Sequence, residues 1–92
     1  MPYIREEHRW TVDGDINELL KQIDRHAPDD RAGIVNYIIT HILNAVFPRR
    51  YYSLALAVGV LVTCGLEFYR RVVAPYEDRK INENGDVYGE PR

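Results

Sequence analysis

The residues best suited to chemistry cluster where the long apolar stretch of this chain ends. Glu67, Arg70 and Arg71 stand at i, i+3 and i+4, so Glu67 can pair with either arginine on one helix face. Beyond them, Tyr76, Glu77 and Asp78 follow Pro75 and can fold back toward the same arginines. Two readings share these residues. In one, Glu67, Glu77 and Asp78 form salt bridges that fix the turn at Pro75. In the other, Arg70 and Arg71, with Tyr69 or Tyr76, hold an anion or a peptide, because a guanidinium matches carboxylate and phosphate with two parallel hydrogen bonds. Glu77 and Asp78 make a weak metal pair, since adjacent helical residues point about 100° apart.

A second positive spot is Arg49 and Arg50, beside Tyr51 and Tyr52. No acidic residue lies between Arg31 and Leu66, so this charge is locally unopposed. Arginine next to aromatic rings suits a single-stranded nucleic acid and equally suits a protein interface. The overall balance, 12 basic against 14 acidic residues, leans toward protein.

No catalytic constellation emerges. There is no glycine-rich phosphate loop, no GxSxG elbow and no HExxH pair. His8, His26 and His41 lack i, i+4 spacing. His41 reads as a hydrogen-bonded packing group rather than a ligand. Cys64 has no basic neighbour to depress its pKa and reads as a small packing residue. A single cysteine also excludes an intrachain disulfide and a multi-cysteine zinc site. The expectation is no enzyme, no metal and no cofactor.

The elements that must position these residues are helices. Ile16, Leu19, Leu20 and Ile23 form one apolar stripe, which predicts a helix over 15–26 with Asp15 as N-cap, Glu18 completing a capping box and His26 as its C-terminal cation. Asp29 or Asp30 is placed to cap a second helix, over 30–47. There Asn36, Thr40 and Asn44 recur every four residues against a broad apolar face, despite the many β-branched side chains. So narrow a polar stripe predicts a mostly buried helix, ended by Pro48. A third helix, over 50–74, is apolar around nearly its whole circumference. Ala55, Gly59 and Thr63 form a ridge of small side chains that admits another helix, from the same chain or from a second copy. Pro75 breaks or kinks that helix and opens a short fourth helix or turn that stops at Gly85. Residues 1–14 read as an N-terminal arm and 85–92 as a tail.

These elements amount to an all-α fold: a single small helical domain over 1–92, built as a bundle of three main helices. A chain of 92 residues buries only roughly 60–65% of its unfolded surface, so tight packing or a partner subunit is needed. Too few helices are present to cover the third, and Ala55, Gly59, Val62 and Thr63 are candidate residues of a homo-oligomer seam, dimeric or higher. The charged first 30 residues exclude the apolar core of a signal peptide, and a cytoplasmic setting is expected. The uncharged run Tyr51–Leu66 falls short of the about 20 apolar residues a spanning helix needs, so a membrane partner is not expected.

The run Glu67-Phe68-Tyr69-Arg70-Arg71-Val72-Val73-Ala74-Pro75-Tyr76-Glu77-Asp78, then Lys80-Ile81 and Glu83-Asn84-Gly85-Asp86-Val87-Tyr88, resembles a family of small proteins of bacteriophages and prokaryotic genomes that end in a YRRVAAPYEDxKIxENGDVY pattern. Met1-Pro2-Tyr3-Ile4 and Gly33-x-x-Asn36-Tyr37-Ile38-Ile39-Thr40 are similar to the same family. The family is a domain of unknown function, so the resemblance implies a phage or mobile-element accessory protein in a host cytoplasm, and no reaction. Where that family tends to carry charge in the long helix, this chain has Val62 and Gly65, which favours a helix covered on more sides. The resembling termini, Pro2-Tyr3-Ile4 and Asp86-Val87-Tyr88, are short and aromatic enough to pair as a minor two-stranded ribbon. The expected role is that of an oligomeric interaction protein, with a host protein as a further partner. The alternative is binding of a small ligand, nucleotide or nucleic acid through Arg49, Arg50, Arg70, Arg71 and their tyrosines.

Overall fold

The chain begins its first helix nine residues earlier than the apolar stripe suggests. In the computed structural model, which describes residues 3–89, α1 spans Glu6–Asp24. Glu6 and Glu7 occupy its first turn, where carboxylates oppose the positive end of the helix dipole. Thr11 satisfies its hydroxyl by donating to the His8 carbonyl at 2.8 Å, so the polar segment 8–14 accommodates helix. Asp15 therefore lies inside α1 rather than capping it, and Arg5 precedes the helix with extended backbone and no side-chain cap.

The cation at the end of α1 is Arg31, not His26. Its Nε donates to the His26 carbonyl at 3.2 Å and its terminal nitrogen to the Asp24 carbonyl at 3.3 Å, with the Asp24 carboxylate 3.8 Å away. The last carbonyls of α1 thus find donors that the helix itself cannot supply. A single 3₁₀ turn, Pro28–Asp30, leads into α2 at Arg31–Val46. Asp30 makes no side-chain cap hydrogen bond, contrary to the cap expected from Asp29 or Asp30. Within α2 the predicted polar stripe is regular: Thr40 donates to the Asn36 carbonyl at 2.8 Å, and His41 Nε2 lies 3.0 Å from the Tyr37 hydroxyl. Phe47 turns extended, as a residue before proline must.

The third helix does not break at Pro75. α3 (Tyr51–Phe68) passes through one π turn (Tyr69–Val73) into α4 (Ala74–Asn84) without interruption. Proline has no N–H, and its ring collides with the carbonyl one turn back in a regular helix. The wide turn relieves this: the Ala74 N–H donates to the Tyr69 carbonyl, five residues back. α4 ends as expected at Gly85, whose φ of +89° suits glycine and whose N–H reaches the Ile81 carbonyl at 2.8 Å. Among the described residues no strand forms, which removes the expected terminal ribbon; Pro2 lies outside them. The Asp86 carboxylate instead accepts the Tyr88 N–H at 2.9 Å and bends the tail.

The fold is all-α, as the spacing predicts, but the expected burial is absent. By contact density the described chain divides inside α3, into residues 3–57 and 58–89. In the first unit α1 meets α2, with Ile23, Ile34, Ile38, Leu43 and Phe47 half-buried. In the second, α4 continues from the π turn. Among the described residues only Ala57 is buried, at 7% exposure. Thus α2, expected to be mostly buried, has no buried residue, and Val35, Ile42 and Val46 are exposed. The helix Tyr51–Asn84 is long and apolar enough to cross a membrane by length and composition.

Candidate functional site

The arginine cluster at the end of α3 is largely committed to its own helix. Arg70 Nε donates to Glu67 Oε1 at 3.0 Å and its terminal nitrogen to the same oxygen at 2.5 Å. The Glu67 side chain is only 12% exposed, so a carboxylate short of water is satisfied one turn away. Arg71 is exposed and makes no ion pair or hydrogen bond among the described residues.

Glu77 answers a tyrosine rather than an arginine. The Tyr69 hydroxyl donates to Glu77 Oε2 at 3.1 Å, although eight residues separate them. One wide turn plus one ordinary turn complete two rotations in about eight residues, which brings both onto one face. The carboxylate raises the Tyr69 phenol above its usual 10.0, first by this hydrogen bond and then by repelling the phenolate. The contact is therefore kept below that ordinary value and lost as pH climbs through the raised one. Glu77→Gln should return the Tyr69 titration, followed by absorbance at 295 nm, toward 10.0. An unchanged midpoint would show that the carboxylate is not the cause.

Tyr76 is exposed and flanked by cations of its own helix. Arg79 and Lys80, at i+3 and i+4, sit 5.8 and 5.5 Å from its ring centroid. Lys80 also pairs with Glu83 at 3.1 Å. Asp78 makes no ion pair among the described residues, so neither Glu77 nor Asp78 bridges to Arg70 or Arg71. At the other end of α3, Arg49 bonds the Asn44 side chain, while Tyr51 and Tyr52 stand in solvent. Arg50 gives only its backbone N–H to the Pro48 carbonyl, at 2.8 Å. Arg49 and Arg50 thus precede α3, and Arg70 and Arg71 lie in the π turn that follows it.

The seam candidates share one side of α3. Ala55, Gly59, Val62 and Thr63 lie within about 60° of one another's mean direction, and Ala57 points about 160° from Gly59. Thr63 donates back to the Gly59 carbonyl at 2.9 Å, which keeps its hydroxyl from demanding an outside partner. A Cβ on Gly59 meets nothing within 4 Å. Cys64 is exposed, not packed.

Sequence reasoning missed one cleft of about 370 Å³ where the tail turns back beside α4, lined by Glu77, Lys80, Ile81, Asn84, Val87 and Tyr88. Glycine at 85, after a helix stop, was the available signal. Its charged groups are already engaged, Glu77 by Tyr69, Lys80 by Glu83 and Asp86 by the Tyr88 N–H, so no nucleophile and base converge there. Among the described residues no three His, Cys, Asp or Glu side chains gather in a metal-holding group.

Neither a curated protein nor a solved structure matches the chain. One family model does, described as a domain of unknown function, DUF6899, and it spans residues 1–87. That length covers the N-terminal block, the polar stripe of α2 and the C-terminal run through Val87, and the chain belongs to this family.

Proposed function

We propose that this chain is a non-enzymatic interaction protein that works as one subunit of a homo-oligomer, its helices covered by protein rather than by its own fold. The observation that carries this reading is the burial pattern. One alanine is buried among the described residues, while isoleucine, leucine, valine and tyrosine side chains stand in water on α1, α2 and α3 alike. Soluble monomers seldom expose contiguous apolar area on this scale. A bilayer accounts for α3 alone, because α1 and α2 carry Glu18, Lys21, Asn36, His41 and Asn44 between their apolar positions. Protein partners can cover all three.

The phage-accessory setting, with a host protein as a second partner, is supported by the C-terminal resemblance only. Ligand binding through the arginine pairs is less favoured, because Arg49 and Arg70 are engaged by Asn44 and Glu67. Size-exclusion chromatography with light scattering in lipid-free buffer tests the reading. The expected mass is at least twice the 10.7 kDa of one chain. A single-chain mass at high protein concentration overturns it. Binding to an oligonucleotide that weakens steeply with salt would put the alternative in its place.

A further inference from the structure

We infer that Asn84-Gly85 is a self-modification site. The Gly85 backbone nitrogen closes on the Asn84 side chain, and water opens the ring to aspartate or isoaspartate. This chemistry is independent of what covers the helices.

It needs a backbone nitrogen with no side chain in the way and a carboxamide free to swing onto it. Of the five asparagines, Asn84 alone precedes glycine. Asn17, Asn36, Asn44 and Asn82 lie inside helices and precede residues with side chains. The stop of α4 itself supplies the opening. A φ of +89° at residue 85 favours glycine, and glycine leaves its own nitrogen unshielded. No neighbour shields it either, since a Cβ at Gly85 would meet nothing within 4 Å.

The carboxamide is unheld. Asn84 is exposed, and its side chain makes no hydrogen bond among the described residues, whereas Asn44 is engaged by Arg49. One hydrogen bond restrains the nitrogen: the Gly85 N–H donates to the Ile81 carbonyl at 2.8 Å. Helix ends open at free energies near zero, so the last turn releases this nitrogen repeatedly.

The reaction consumes only water. Gly85 N loses its proton to solvent base and attacks Asn84 Cγ. The N–Cγ bond forms, the Cγ–Nδ2 bond breaks, and Nδ2 takes up a proton and leaves as ammonia. Water then adds its hydroxyl to one ring carbonyl carbon and its hydrogen to the ring nitrogen. Addition at Cγ yields aspartate. Addition at the main-chain carbon yields isoaspartate, with one more atom in the main chain.

Either product unsettles the turn that made it. A new carboxylate stands at the C-terminal end of α4, where the helix dipole is negative, between Glu83 and Asp86. The extra atom of isoaspartate draws the Gly85 N–H away from Ile81. Asn84 and Gly85 line the cleft where the tail turns back, so the tail loses its place beside α4.

Incubating the full-length protein in neutral buffer, then mapping its peptides by mass spectrometry, tests the site. Aspartate and isoaspartate should form at Asn84 while the other asparagines keep their amides. The native rate should lie within about tenfold of that of the same chain unfolded in guanidinium chloride, the weight of one hydrogen bond. It should rise about tenfold per pH unit near neutrality, as the deprotonated nitrogen does. Alanine is strained at the native φ, so Gly85→Ala is compared in the unfolded chain, where it should react about tenfold more slowly. A native rate about a hundredfold or more below the unfolded one overturns the proposal, because the turn then withholds the nitrogen. Earlier loss of the amide at another asparagine, a rate indifferent to pH, or Gly85→Ala reacting as fast as glycine overturns it as well.

Discussion

Diluting the purified protein a hundredfold should lower its thermal unfolding midpoint by about 10–20 °C. The expectation follows from where the apolar side chains are. With one buried residue among those described, the chain draws little stability from its own core, and on the oligomeric reading most of it comes from the surfaces that copies cover. When folding and association are coupled, the unfolding free energy falls by RT ln of the dilution, about 2.7 kcal/mol per hundredfold. For a domain of this length each kcal/mol moves the midpoint about 4–8 °C. Circular dichroism at 222 nm across the concentration series reads the effect directly. A midpoint independent of concentration would mean that the single chain holds itself together, and the oligomeric reading would fall with it.

Pro75→Ala should stabilise the folded chain by up to about 3 kcal/mol, the cost of proline inside a helix. Proline at this position denies a donor to the carbonyls of Arg70 and Arg71, and the π turn at Tyr69–Val73 is the local answer. Alanine restores the N–H and lets the turn tighten to regular α geometry. The gain is not free of loss, because tightening rotates α4 relative to α3 and separates Tyr69 from Glu77. Urea unfolding should therefore show a higher midpoint while the Tyr69 phenol titrates near 10.0. Destabilisation with the raised titration retained would show that the Tyr69–Glu77 contact, and not the proline, holds the turn open.

Much of the helix pattern could be read from the chain alone. Asn36, Thr40 and Asn44 settle α2 against its β-branched composition, and Thr40 turns out to feed its hydroxyl to the Asn36 carbonyl, the reason a polar residue is tolerated there. Asn84-Gly85 marks the stop of α4 for the reason the positive φ confirms. The start of α1 was hidden because no capping side chain announces it; Arg5 leads in on extended backbone and only the two glutamates favour the turn. The role of Arg31 was hidden because its targets, the ends of Asp24 and His26, approach only after the intervening 3₁₀ turn has formed. At the candidate site, Glu67 with Arg70 follows from spacing on one helix, whereas Tyr69 with Glu77 depends on a turn of unusual width. Periodicity names which face is apolar, and it is silent on what covers that face.

Arg31 has a consequence for how the first two helices move. Three oxygens, two carbonyls and a carboxylate, converge on one flat, forked group. A lysine there is long enough to touch one of them and too narrow to span all. The elbow between α1 and α2 is accordingly a stiff joint, and whatever grips the outside of either helix meets both as a single lever.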